Sequence, residues 1–270
     1  MSQQSSTKQI SNIELLAMKA RHEKIACLTA YDASFAHILD AAGVDMVLVG
    51  DSLGMVVQGQ ASTVPVTIDE MAYHSKLVSR GLKRALLVTD MPFMSYSNTR
   101  DAVKNAGKLM QLGRAQMVKL EGGEKILDSV KHIVEQGIPV CGHLGLLPQS
   151  VNQLGGYRVQ GKDEAQANII LNDAKCLEQA GASAIVLECI PAALAKKITA
   201  SVNIPIIGIG AGVDCDGQVL VSYDMLDITL GKRPKFSKNF MLEAASISAA
   251  VSDYVDAVKN KRFPSAEHSF

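Results

Sequence analysis

Five consecutive apolar runs in this 270-residue chain end in ionisable side chains. Val49-Gly50 leads into Asp51-Ser52, Val88-Thr89 into Asp90, and Val118 into Lys119-Leu120-Glu121. Val140-Cys141-Gly142 then leads into His143, and Val186-Leu187 into Glu188. Lys119 and Glu121 are two residues apart, so in an extended strand they share a face. Each of these residues alone has a plain reading: a strand-end Asp closes a turn or caps a helix, and a lone His is usually a satisfied structural group. Together they ask for more. Converging carboxylates repel, and need a cation, a shared proton or strong donors. All-oxygen ligands favour Mg²⁺ over zinc or copper, and no His pair at helical spacing or Cys cluster offers a softer site.

The elements that must position these groups recur along the whole chain. Strand-like runs fall at 25–29, 46–49, 85–89, 117–120, 139–142, 184–187 and 205–209, with a weaker eighth at 219–221. Several are continuously apolar, as parallel strands buried on both faces are. Helical patterns lie between them. Ser11-Asn-Ile-Glu14 and Thr67-Ile-Asp-Glu70 fit the capping box, and segments 99–112, 123–136 and 163–180 carry apolar residues at helical spacing. Gly113, Gly137 and Gly181 stand where a left-handed C-terminal residue is wanted. Repeated strand, helix, Gly and strand predict an α/β fold, the (β/α)₈ TIM barrel, as a single domain over 1–270. Residues 1–10 form a polar N-terminal tail, and an additional C-terminal helix covers 242–258.

An open doubly wound sheet is the alternative, but it wants a Gly-rich fingerprint after its first strand. Tyr31-Asp-Ala-Ser34 is not one. Gly208-Ile-Gly-Ala-Gly212 comes too late, and reads as close backbone packing at the end of strand seven. In a barrel the strand C-termini form the catalytic face, so the five polar ends gather on one rim. Two long connections on that face, 51–65 and 143–162, are expected to be lids or binding loops.

Composition removes several functions. Lys plus Arg equals Asp plus Glu at 27 each, which leaves no net charge to attract nucleic acid or an anionic membrane. The cluster from Lys259 to Arg262 reads as favourable charge at a helix C-terminus. Five cysteines, without C-x-x-C spacing, read as free core thiols of a reducing compartment. The polar N-terminus is no signal peptide, and no apolar stretch approaches the roughly 18 residues of a membrane span. A cytoplasmic location is expected.

The motifs also resemble one family. Leu28-Thr-Ala-Tyr-Asp32, Leu48-Val-Gly-Asp-Ser-Leu-Gly-Met55, Asp90-Met-Pro-Phe-Met94, Met117-Val-Lys-Leu-Glu-Gly-Gly123 and Val140-Cys-Gly-His-Leu-Gly-Leu146 come first. Pro148-Gln-Ser-Val-Asn152, Gly156-Tyr-Arg-Val-Gln-Gly161, Leu187-Glu-Cys189 and Ile204-Pro-Ile-Ile-Gly-Ile-Gly-Ala-Gly212 follow in order. This set resembles the ketopantoate hydroxymethyltransferase family from about Thr7 through nearly the whole chain.

The resemblance implies transfer of a hydroxymethyl group from 5,10-methylenetetrahydrofolate to 3-methyl-2-oxobutanoate, giving 2-dehydropantoate through a Mg²⁺-stabilised enolate in pantothenate biosynthesis. It also implies metal ligands at Asp51, Asp90 and Glu121, and substrate contacts at Asp51, Ser52, Asp90 and Lys119. Glu188 falls at the position of the general base, with His143 the next candidate, and a homo-oligomer, a decamer, is implied. Leu147, Val213-Asp-Cys-Asp216 and Ser222-Tyr223 depart from the family pattern, away from the proposed ligands and base.

Two other readings compete. A metal-dependent 2-oxo-acid C–C lyase of the phosphoenolpyruvate mutase and isocitrate lyase type shares a Cys-Gly-His element with Cys141-Gly-His143. Here, however, the element lacks a preceding basic pair and falls on an apolar strand. A non-catalytic scaffold would be expected to have lost at least one strand-end acid, and all four are present.

Overall fold

The computed structural model describes residues 9–270. Eight strands carry the fold: β1 Ile25–Thr29, β2 Met46–Val49, β3 Leu86–Asp90, β4 Met117–Glu121, β5 Val140–Gly145, β6 Ala184–Glu188, β7 Ile206–Ile209 and β8 Gly217–Leu220. They pair in parallel in sequence order, and β8 returns to β1 to close the (β/α)₈ barrel. Every residue of β1 to β4 is buried, which explains the apolar runs: one face fills the barrel and the other meets helices.

Register delivers the polar residues to neighbouring places. Asp90 lies opposite Lys119 on β3 and β4, and Glu121 lies opposite His143 on β4 and β5. Glu188 ends β6 opposite Gly145. That glycine has φ +92°, and a Cβ there would collide with the Glu188 carbonyl, so it allows the close seating of the two strand ends.

Several boundaries differ from the sequence reading. β5 runs on to Gly145, because His143 and Leu144 keep pairing with Val186 and Leu187 despite the imidazole. β8 starts at Gly217, where a side chain would strike Ile25 of β1. Gly137 and Gly181 are left-handed as expected, at φ +79° and +96°, but Gly113 is not; Arg114 takes that conformation at φ +59°. Gly113 instead leaves room for the Leu109 carbonyl and Ser75, which a Cβ would meet at 2.6 and 3.1 Å. Thr67 and Glu70 form both halves of a capping box. Ser11 forms one half, since the Glu14 carboxylate turns to Arg21 at 2.8 Å.

Of the proposed N-terminal tail, residues 1–8 lie outside the described residues. Ile10 is buried, and its N–H donates to the Arg84 carbonyl at 2.7 Å, so it is anchored to the body. The C-terminal helix is Ile247–Lys259, capped by Ser246, and excludes the exposed Leu242. It packs on the barrel. Tyr254 Oη lies 2.9 Å from the carbonyls of both Cys27 on β1 and Gln218 on β8, donating across the closing seam. Lys259 does more than complement the helix dipole: it pairs with the buried Asp45 at 2.6 Å. The five cysteines are free, and four of them are buried. Among the described residues no helix is long and apolar enough to cross a membrane.

Candidate active site

The C-terminal rim brings every proposed site residue to the wall of one cavity of about 630 Å³. Its floor is buried charge: Asp51, Asp90, Lys119, Glu121 and His143 are each no more than 6% exposed. Lys119 Nζ stands 2.7 Å from Asp90 Oδ1 and 3.3 Å from His143 Nδ1. The Asp51 amide donates to Asp90 Oδ2 at 3.0 Å. Gly50 keeps that approach open, since a Cβ there would crowd the Asp90 carboxylate and Ser52 Oγ. Ser52 Oγ is hydrogen-bonded to Tyr31 Oη at 2.9 Å. His143 stands between two acids, with Nδ1 3.3 Å from Glu121 Oε1 and Nε2 3.2 Å from Glu188 Oε2.

Two residues not singled out from the sequence tie this floor together. Gln149 Nε2 donates to Asp51 Oδ2 at 2.8 Å and to the Met91 carbonyl at 3.0 Å, and its backbone amide donates to Glu121 Oε2 at 3.0 Å. Tyr96 Oη donates to Gln149 Oε1 at 2.5 Å and accepts from the Glu121 amide at 3.3 Å. Gln149 reaches inward because Pro148–Ser150 forms a short 3₁₀ turn just after β5. The proline opening that turn at a rim strand, within the motif Pro148-Gln-Ser-Val-Asn152, is the sequence signal for Gln149. The two long connections meet above the floor, where Tyr157 Oη donates to Met55 Sδ at 3.4 Å. The first of them contains a helical turn, Leu53–Val56.

Burial makes these charges expensive, and their protonation follows. Burial raises the Asp51 pKa well above the carboxylate range, and Asp90 and Glu121 raise it further. Burial also raises Asp90, against the opposing pull of Lys119. Glu121 behaves otherwise: burial would raise it, but the His143 hydrogen bond and charge, Lys119 and the Gln149 amide hold it low. For Lys119, burial acts downward and is outweighed by Asp90, Glu121 and Asp51, so its pKa rises and the amine stays protonated. Burial and Lys119 would lower His143, yet pairing with Glu121 and Glu188 brings it up to about 9.

With all four acids ionised, one lysine and one imidazolium leave two negative charges without a partner. A divalent cation matches that deficit in charge, and the oxygen donors match it in hardness. Asp90 Oδ1 is buried without a well-aligned hydrogen bond, despite its closeness to Lys119, as an atom kept for a ligand would be. Among the described residues no three His, Cys, Asp or Glu side chains stand together as a complete ligand set. Both oxygens of Glu121 are already engaged, by His143 and Gln149. The oxygens of Asp90 are likewise approached by Lys119 and the Asp51 amide, and a carboxylate oxygen keeps a second lone pair, so Asp51, Asp90 and Glu121 all stay candidate donors to a metal. Mg²⁺ commonly takes one or two carboxylates and completes its shell with water and substrate.

The sequence profile of the family described as ketopantoate hydroxymethyltransferase matches residues 9–266. A 3-methyl-2-oxobutanoate hydroxymethyltransferase of Psychromonas ingrahamii is 56% identical, over 97% of this chain and 98% of its own. The enzyme of that name from Thiobacillus denitrificans is 57% identical over 95% and 97%. Among solved structures, a putative phosphonomutase from Burkholderia cenocepacia superposes with a TM-score of 0.63 at 14% identity, covering 80% of this chain and 95% of that one. A phosphonopyruvate hydrolase in complex with oxalate and Mg²⁺ gives 0.61 at 11% identity, covering 78% and 81%. Those two likenesses concern the barrel alone. The sequence matches go further, and by them this chain belongs to the ketopantoate hydroxymethyltransferase family.

Proposed function

We propose that this chain transfers a hydroxymethyl group from 5,10-methylenetetrahydrofolate to 3-methyl-2-oxobutanoate, giving 2-dehydropantoate for pantothenate biosynthesis. The observation that carries the chemistry is the buried cluster of Asp51, Asp90 and Glu121, held beside one protonated lysine and close to Glu188 on the same cavity. Asp51 and Asp90 would hold Mg²⁺, which when bound supplies Lewis-acid polarisation of the substrate's keto oxygen.

The chain's own groups do the rest. Lys119 presents a fixed positive charge to the substrate carboxylate or the enolate oxygen. Ser52, steadied by Tyr31, offers a hydroxyl beside it. Glu188 ends β6 at the cavity wall and is the less enclosed acid, its side chain 14% exposed. It takes the proton from C3 of the 2-oxo acid. His143 Nε2 lies 3.2 Å from that carboxylate, without a well-aligned hydrogen bond to it. Water opens the methylene bridge, breaking both C–N bonds and releasing tetrahydrofolate and a one-carbon unit at the formaldehyde level. The enolate carbon attacks that carbonyl carbon, and the proton held by Glu188 returns to the resulting alkoxide. Free thiols and the family resemblance support a cytoplasmic homo-oligomer, a decamer, which light scattering would test; a stable monomer would contradict it.

The decisive experiment is solvent deuterium exchange at C3 of 3-methyl-2-oxobutanoate without folate, followed by turnover with it. Exchange that depends on Mg²⁺ and is lost on chelation is expected; undiminished turnover after exhaustive chelation refutes the metal. A lysine beside a 2-oxo acid also invites an imine mechanism, but that needs a neutral amine. Borohydride with substrate should leave the protein mass unchanged, and Lys119→Arg should retain measurable turnover. An adduct on Lys119 would replace this mechanism with an imine aldolase.

A further inference from the structure

The cavity is far larger than a 2-oxo acid needs. Such a substrate occupies on the order of 150 Å³, the volume of a few waters, against about 630 Å³ available. Its wall also changes character outward. The floor carries Asp51, Asp90, Glu121 and Glu188, with the buried Asp224 also lining the cavity. The mouth carries the exposed cations Arg158, Lys232 and Lys235. Among the described residues none of these three pairs with a carboxylate, although neighbouring Arg233 pairs with Asp227. Lys235 Nζ donates to the Ser269 carbonyl at 3.0 Å and lies 4.8 Å over the Phe270 ring, which leaves donors to spare.

The mouth is also aromatic. Phe236 and Phe270 both pack over Gly210 after β7, where a Cβ would meet each ring side chain at 3.0 Å. Tyr157 forms another wall, tied to Met55. Flat apolar walls with a rim of unpaired cations suit a heteroaromatic ligand that ends in carboxylates. The acids below repel such a tail and keep it outward, so the charge gradient sets the direction in which the ligand enters.

We propose that the outer part of this cavity is the folate site, with the ring system between Tyr157 and the Phe236–Phe270 wall, and the glutamate carboxylates on Arg158, Lys232 and Lys235. The inference rests on the proposed function and adds the location, the orientation and a preference for polyglutamylated cosubstrate. Each further γ-linked glutamate adds an anion at the mouth.

The test compares KM for 5,10-methylenetetrahydrofolate carrying one and five glutamates, at low and high salt. The unmodified protein should favour the pentaglutamate, and salt should erase the preference. The Arg158→Gln/Lys232→Gln/Lys235→Gln variant should raise the pentaglutamate KM about tenfold, the sum of several exposed pairs, and lose the preference. Restoring charge as Arg158→Lys/Lys232→Arg/Lys235→Arg should restore most of it. Thermal melting reports whether each variant is folded, and folate-free exchange reports whether the floor is intact. Transfer with an unchanged folate KM in the folded Gln variant overturns the site and leaves the proposed function standing. Exchange without any transfer from folate in the unmodified protein removes both.

Discussion

The two ends of the barrel bury charge in opposite ways. Where the strands begin, Asp45 is almost fully enclosed, yet each of its oxygens is answered. The Ala26 amide donates to it at 3.0 Å, Arg84 grips it at 3.0 and 3.2 Å, and Lys259 closes on it at 2.6 Å. Asp216 likewise accepts from the Ile206 amide at 2.9 Å and pairs with Lys19 at 2.8 Å. Where the strands end, Asp51 and Asp90 share one lysine with Glu121, and burial raises the pKa of both aspartates. The lower end spends its charges on holding helices and loops to the barrel. The upper end leaves carboxylates whose full ionisation awaits a cation from outside, which is how a binding floor differs from a brace.

Substitutions should separate the ends, and the largest effect belongs to the rim. Glu188→Gln keeps the shape but cannot accept a proton, and turnover should fall about 10²–10⁴-fold with little change in melting temperature. Wild-type exchange rates in that variant would pass the role of base to His143. Next comes the lower end. Asp45→Ala strands Arg84 and Lys259 and should cost about 3–5 kcal/mol of stability by denaturant titration, while the folded fraction keeps its KM values. An unaltered unfolding curve would erase the contrast between the ends.

Asp51→Asn should do the reverse of Asp45→Ala, lowering activity while raising the stability of metal-free protein at neutral pH. The sign follows from the raised folded-state pKa. Wild type is favoured while Asp51 holds its proton, and loses that stability as pH climbs from the unfolded value, about 4, through the folded one. The variant does not titrate, so its advantage should grow as pH rises above about 4 and shrink when Mg²⁺ is added. An advantage that is flat with pH would show Asp51 to be well compensated.

The smallest effect is spectroscopic. The imidazole of His143 in metal-free protein should titrate near pH 9 by NMR. Its stabilisation is complete below the unfolded value, about 6.5, and disappears as pH rises through the folded one. A midpoint at the unfolded value would mean that Glu121 and Glu188 do not hold its proton.

Strand positions were largely readable because burial on both faces leaves an uninterrupted apolar run, as in Met46–Val49. The sharing of one face by Lys119 and Glu121 was readable from a period of two. What escaped has a common cause. Gln149 and Tyr96 come from connections whose paths are set by the finished fold, and nothing local marks them as inward-facing. Arg158, Lys232 and Lys235 look like any surface cations until the cavity places them on one mouth. His143 seemed to end its strand because polarity usually does, whereas cross-strand pairing carries β5 beyond it. The C-terminal helix starts later than its apolar pattern, which Leu242 extends, because Ser246 supplies the cap.

The Tyr254 hydroxyl, set between the carbonyls of Cys27 and Gln218, also bears on the order in which the molecule is made. Tyr254 and Cys27 are 227 residues apart, and β1 has no β8 to pair with until nearly all of the chain has left the ribosome. The early strands can zip to one another as they emerge, each beside its predecessor, but β1 waits with an open edge. Ring closure is then one late event of high contact order, locked when the last long helix docks. Until that moment the nascent protein carries a strand of apolar residues with one unpaired edge at its oldest end, and that edge is where a chaperone would have most to protect.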